Sequence, residues 1–319
     1  MLTLWGVRRT LGGMSRPMPR PLAAPLLSRP TLSTVAELLK PITWFPPMWA
    51  FACGVVSSGV SPEGLWWLIV VGVLLAGPLV CATSQAVNDW FDRHVDAINE
   101  PGRPIPSGRM PGRWGLGIAI AWTGLSLVVA TALGPWGFGA AVLGLVLAWL
   151  YSAPPVRLKE NGWLGNAACG LSYESLAWIT GAAVMAGGAM PDPRSIALAL
   201  LYGLGAHGIM TLNDFKAVEG DLRMGVRSLP VRLGVDRAAV VACWTMAVPQ
   251  LVVIGLLFAW DRPWHATAVS GLLVAQYLLM RAFVARPVAK ALMYSGFGVP
   301  LYVAGMMVAA FGLRSLGGH

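Results

Sequence analysis

Residues 65–96 read LWWLIVVGVLLAGPLVCATSQAVNDWFDRHVD. Positions 65–88 carry no charge. A helix of that length crosses a bilayer core about 30 Å thick. The last nine residues then hold three aspartates, Asp89, Asp92 and Asp96. An apolar helix that ends in a stripe of acids is a membrane span with chemistry at its rim. Apolar segments of the same kind recur near 43–60, 114–133, 136–152, 164–186, 195–212, 237–260, 263–284 and 290–312. With 65–88 they make nine, so the sequence predicts an all-α polytopic membrane protein of nine spans.

Composition agrees. Of 319 residues, 56% are hydrophobic and 12% charged. Soluble domains carry about 25% charge, so a water-soluble enzyme and a disordered protein are both excluded. The net charge of +9 would suggest nucleic acid in a soluble chain. In a membrane protein the same excess collects in cytoplasmic loops, and no nucleic-acid partner is expected. With nine spans, twenty Lys and Arg fall on one side of the membrane, against Arg194, Arg262 and Arg314 on the other. This places the N-terminus and the acid-bearing loops in the cytoplasm. Cys53, Cys81, Cys169 and Cys243 lie in apolar runs without metal-ligand spacing, and read as packing residues. Residues 1–40 are expected to form a basic, Pro-rich, flexible tail, and 41–319 the membrane domain. A transit peptide and an overlong start before Met14 or Met18 are the less favoured alternatives, and the tail is given no chemistry.

On a helix Asp89, Asp92 and Asp96 project within about 60° of one another. Three like charges on one stripe repel unless a cation joins them. A second window, Asn213–Asp221, reads NDFKAVEGD. There Asp214 and Asp221 share a face if the helix runs on, while Glu219 points away. These two nine-residue windows hold six of the fourteen acids, and each opens with Asn-Asp: Asn88-Asp89 and Asn213-Asp214. Acids are disfavoured at helix C-termini, so the clusters call for a functional reason. Oxygen-only donors suit a hard cation, chiefly Mg²⁺, whose shell substrate phosphates complete. The catalytic and metal-binding candidates are therefore Asp89, Asp92, Asp96, Asp214, Glu219 and Asp221. Arg103, Arg109, Lys216 and Arg223 are the candidate diphosphate ligands, with Asn88 and Asn213. In YSAPPVRLK, Tyr151 and Lys159 could bind phosphate, although an interfacial anchor is the plainer reading of both. Glu174 sits in mid-span, where an acid costs about 2.5–3.5 kcal/mol to insert. His207 lies on the stripe of Asp214. Both are candidates for an acceptor pocket, with a packed core histidine the plainer reading of His207.

At these residues the chain resembles the UbiA-type prenyltransferases. Asn88, Asp89, Asp92 and Asp96 match the family's NDxxDxxxD motif in full. More narrowly, residues 88–109 (NDWFDRHVDAINEPGRPIPSGR) and 212–235 (LNDFKAVEGDLRMGVRSLPVRLGV) are similar to chlorophyll synthases. KPITWFPPMWAFACGVVSSG and GLSYESLAWITGA point to their bacteriochlorophyll branch. One departure is Val218, where the superfamily's second motif commonly has an acid. It leaves Asp214 more secure than Glu219 or Asp221. The resemblance implies a bundle around a central cavity, Mg²⁺, and a geranylgeranyl or phytyl diphosphate donor. It implies esterification of the propionate of bacteriochlorophyllide, in the inner or the photosynthetic intracytoplasmic membrane, with other pigment-synthesis enzymes as partners. The competing readings are a UbiA-type enzyme with an aromatic or haem acceptor, and a transporter. The crowding of the acids at one membrane face disfavours the transporter.

Overall fold

A computed structural model describes residues 29–314 and residue 316. The helices are α1 (Leu32–Leu39), α2 (Phe45–Ser57), α3 (Trp66–Asn99), α4 (Trp114–Ala130), α5 (Gly134–Ser152) and α6 (residues 162–185). They continue as α7 (Pro193–Asp214), α8 (Val218–Met224), α9 (Leu229–Leu233), α10 (Val235–Ala259), α11 (Pro263–Ala285) and α12 (Pro287–Arg314). Among the described residues there are no named strands, and the sole β-bridge joins Asn161 to Arg227.

A helix lies on every predicted apolar segment. By length and apolarity, six continuous stretches among the described residues can cross a membrane, and α2 is shorter. One of the six, Trp114–Ser152, has 39 residues. Straight, it would span about 58 Å, nearly twice a bilayer core. A 3₁₀ turn at Thr131–Leu133 and Gly134 at φ 75° bend it into a hairpin, and α4 packs on α5. Nine crossings remain the expectation from hydropathy.

Two differences from the sequence reading bear on the site. The helix of the first acid window does not stop at the membrane rim but runs on to Asn99. The second helix stops at Asp214, and residues 215–217 turn before α8. Phe215 is buried there, edge-on to Phe283 at 5.2 Å between ring centres. The expected continuous face linking Asp214 and Asp221 is thus absent. The tail expected over residues 1–40 lies outside the described residues up to 28. Residues 32–39, however, form α1 against α3, closing a small core of Leu38, Leu39, Ala82, Ala86, Val87 and Met110. A folded helix therefore occupies the end of that segment.

Several side-chain hydrogen bonds tie the helices together inside the bundle. Trp178 Nε1 donates to Ser57 Oγ and Ser195 Oγ at 3.1 and 3.0 Å. Gln250 Nε2 donates to Gln276 Oε1 at 2.7 Å, and Gln276 Nε2 to the Gly298 carbonyl, linking α10, α11 and α12. Helices α2 and α6 meet through glycines. A Cβ at Gly54 would fall on the Trp178 carbonyl oxygen, and one at Gly181 on that of Phe51. Small residues allow such backbone approach in membranes. Gly54→Leu is expected to cost more than about 2 kcal/mol by overpacking. It should lower the thermal midpoint of detergent-solubilised protein, whereas Gly271→Leu, which faces open space, should not.

Candidate active site

Helix α3 carries the first cluster. Its π-helical stretch, Leu75–Cys81, contains Pro78, which cannot donate a backbone hydrogen bond. The Pro78 carbonyl accepts from Trp122 Nε1 at 3.1 Å. Beyond it Asp89 and Asp96 lie seven residues apart, about 20° around the helix, while Asp92 is offset by about 60°. The basic residues divide the same way. Arg103 Nη1 lies 3.4 Å from Asp89 Oδ1 and 2.9 Å from Asp96 Oδ2. Asp92 instead faces the loop after α5, where it pairs with Lys159 and, at 3.3 Å, with Arg157.

Lys40 completes the cluster. Its Nζ donates to Asp89 Oδ1 at 2.6 Å. Sequence reading counted this residue as tail charge and as the start of KPITWFPPMWAFACGVVSSG, and gave it no role at the site. The available signal was its position directly before Pro41 and the first span. It sits in a left-handed conformation at the end of α1, with φ 48°. Asp89 is 2% exposed, and its Oδ2 is buried without a hydrogen-bond partner. Burial lowers the pKa of Lys159, against the pull of Asp92 in the other direction.

The second cluster is looser. Asn166, on α6, approaches Asp214 Oδ2 with Nδ2 at 3.5 Å and also donates to Thr211 Oγ1 at 3.2 Å. Asp221 lies within electrostatic reach of Asp214. Burial raises the Asp221 pKa, opposed by a hydrogen bond with Ser228. The loop after α5 and the loop after α8 are tied together, with Arg227 N donating to the Glu160 carbonyl and Gly162 N to that of Arg227, both at 3.0 Å. Both acid windows are thereby held at one end of the bundle.

Several expected residues stand apart. Glu219 is exposed and pairs with Arg223, its neighbour one turn on. Lys216 is exposed. Arg109 grips Glu37 with both Nη atoms and also reaches the Gly102 carbonyl. That bond holds the Glu37 carboxyl below its usual range. His207 is buried beside Trp163, 5.3 Å between ring centres, and does not line the cavity.

The cavity itself is about 410 Å³. Asn88, Tyr151 and Asn213 line it together with Ser84, Gln85, Tyr173 and Glu174. Its apolar wall includes Pro46, Val80, Leu147, Ile209, Met210, Val299 and Val303. Asn88 Nδ2 donates to Ser152 Oγ at 3.2 Å, and Tyr173 OH meets Ser84 Oγ and Gln85 Nε2, each at 3.0 Å. Among the described residues no three His, Cys, Asp or Glu side chains gather into a metal cage.

An apolar cavity in a membrane bundle, opening beside paired acids and bases, defines an enzyme for substrates with a greasy body and an anionic head. The chain belongs to the UbiA prenyltransferase family, whose pattern matches residues 43–295. It is 57% identical to the bacteriochlorophyll synthase 33 kDa chain of Cereibacter sphaeroides, over 91% of this chain and 95% of that one. It is 39% identical to the chloroplastic chlorophyll synthase of Arabidopsis thaliana, over 86% of this chain and 73% of that one. Its fold is similar to a UbiA homologue from Archaeoglobus fulgidus solved with GPP and Mg²⁺, with TM-score 0.65 and 21% identity, covering 88% of this chain and 99% of that one.

Proposed function

We propose that this prenyltransferase esterifies the propionate of bacteriochlorophyllide with a C20 prenyl diphosphate, geranylgeranyl or phytyl, releasing diphosphate. The observation that carries this reading is a single cavity joining an apolar interior to Asn88, Tyr151 and Asn213, beside both acid windows. The similarity to bacteriochlorophyll and chlorophyll synthases along most of the chain supports the tetrapyrrole acceptor over an aromatic or haem acceptor. The diphosphate belongs at the polar mouth. The tail belongs along Pro46, Val80, Leu147, Val299 and Val303, where burial contributes about 0.8 kcal/mol per CH₂.

The residues present fit Mg²⁺. Asp89 Oδ2 is a buried carboxylate oxygen with no partner, and the other acids of the two windows, Asp92, Asp96 and Asp214, offer carboxylate oxygens, the ligands of a hard cation. Because no protein-only cage exists among the described residues, Asp89, Asp92 and Asp214 would share the ion with phosphate oxygens. When bound, the ion neutralises charge on the departing diphosphate. Lys40, Arg103, Arg157 and Lys159 are held next to the acids by ion pairs. They turn to phosphate oxygens as the diphosphate enters, and stabilise its charge as the C1–O bond breaks. A propionate oxygen forms the new bond to C1. Carboxylates titrate near pH 4 in water, so the acceptor is already an anion at about pH 7 and requires no general base. With nine spans, the twenty-to-three division of basic residues supports a site on the cytoplasmic face, and the similarity to bacteriochlorophyll synthases supports the inner or photosynthetic intracytoplasmic membrane.

Membranes containing the protein, geranylgeranyl diphosphate and Mg²⁺ test this reading. Bacteriochlorophyllide a should give an ester and 4-hydroxybenzoate no product, by chromatography. Chelation with EDTA should reduce turnover more than about tenfold, and Mg²⁺ should restore it. Prenylation of the aromatic ring would overturn the acceptor assignment. Full turnover without divalent cations would overturn the metal site.

A further inference from the structure

Among the described residues, Glu174 is the sole Asp or Glu that lines the cavity. It sits in the π-helical stretch Leu171–Leu176 of α6, a local widening of the kind that recurs at functional sites. It is 6% exposed, and its Oε2 is buried without a hydrogen-bond partner. Among the described residues it belongs to no ion pair, and its electrostatic neighbours are Cys53 and Tyr302. Acids inside a membrane pair with something or mark a ligand path. Among the described residues no side chain supplies the partner, which leaves a ligand of the cavity as the candidate.

The two substrates differ in what they can offer. A prenyl tail is hydrocarbon and has nothing for a carboxyl group. The diphosphate is anionic and would be repelled. Along α6, Glu174 lies eight residues beyond Asn166, the residue that contacts Asp214. That is about 12 Å at helical rise, too deep for the head that the acid clusters receive. The remaining candidate is the acceptor. A bacteriochlorophyllide carries a magnesium ion chelated by four ring nitrogens, open along its axis. It is a hard Lewis acid and prefers oxygen. The other polar groups of this wall are neutral, and Tyr173 OH is already engaged by Ser84 and Gln85. His207, the other side chain suited to such a metal, lies off the cavity.

Building on the tetrapyrrole acceptor proposed above, we infer that Glu174 is a specificity-determining residue that supplies the axial oxygen ligand to the magnesium of the acceptor. Through it the enzyme distinguishes metallated from metal-free macrocycles. The contact also fixes the height of the ring in the cavity, leaving the propionate directed at the polar mouth.

The test is an absorbance titration of full-length, detergent-solubilised protein with bacteriochlorophyllide a and with its metal-free counterpart, bacteriopheophorbide a. Wild type should bind the magnesium form at least about tenfold more tightly. Glu174→Ala should bring the two dissociation constants within about twofold by weakening the magnesium form alone. Unchanged binding of the metal-free pigment shows that the pocket is intact. Glu174→Gln keeps the shape and a weaker oxygen donor, and should fall between the two. Should Glu174→Ala bind neither pigment, the ratio in Glu174→Gln decides, and a wild-type ratio there overturns the assignment. Equal binding of both pigments by wild type overturns the role of Glu174 alone. Binding of neither pigment by wild type overturns the acceptor reading and this inference with it.

Discussion

Asp89→Asn is expected to abolish prenyl transfer, lowering turnover by about 10³-fold or more, while the protein still inserts. The substitution keeps the shape of the side chain and removes its charge. In this structure Asp89 Oδ1 holds Lys40 at 2.6 Å and Arg103 at 3.4 Å, and Oδ2 has no partner. An amide cannot hold two cations in place or offer an anionic oxygen to a third. The ion and the diphosphate would lose a shared ligand at the point where charge develops, the position at which a lost contact costs most. Asp214→Asn should behave alike, since Asp214 is the acid of the second window next to Asn166. Glu219→Gln should stay within about threefold of wild type, because Glu219 is exposed and occupied by Arg223. Turnover is measured in membranes, and insertion by size-exclusion profile in detergent. Wild-type turnover in Asp89→Asn would remove the first cluster from the mechanism.

The first cluster was legible because helical spacing is local. Three acids within eight residues set their own geometry once the segment is helical, and the segment is helical from Ala82 to Asn99. The membrane-spanning stretches were legible for the same reason, apolarity being a property of contiguous sequence. Lys40 was not legible in this way. It meets Asp89 across 49 positions, and its place before Pro41 marks the start of a span without showing that α1 folds back on α3. Asn166 has the same character, reaching Asp214 from 48 positions away. The second window misled because its spacing assumed a continuous helix. The burial of Phe215 against Phe283 turns the chain at that point, and a tertiary contact overrides a local pattern. Arg103 and Arg109 are of one type in one loop, so sequence could not rank them. Their separation depends on Glu37, an acid in the segment first read as a tail.

That separation yields the other large effect. Arg103→Lys is expected to lower turnover by about 10²-fold or more, and Arg109→Ala to leave it within about threefold. Arg103 is three-quarters buried and spans two acids at once, Nη1 lying between Asp89 and Asp96 while Nε reaches Glu100. Its planar fork meets these carboxylates from fixed directions. A lysine carries the same charge as a point on a flexible stem, and can satisfy one acid only by leaving another. The two aspartates would then repel each other along the stripe and lose the geometry that receives the diphosphate. The loss should appear as a raised KM for the prenyl diphosphate together with a lowered kcat, because the same group binds the head and stabilises its departure. Arg109, by contrast, is committed to Glu37 at the surface, where exposed pairs contribute little. Should Arg103→Lys retain wild-type kcat and KM, the bridge seen here would be structural, and phosphate binding would pass to Lys40, Arg157 and Lys159.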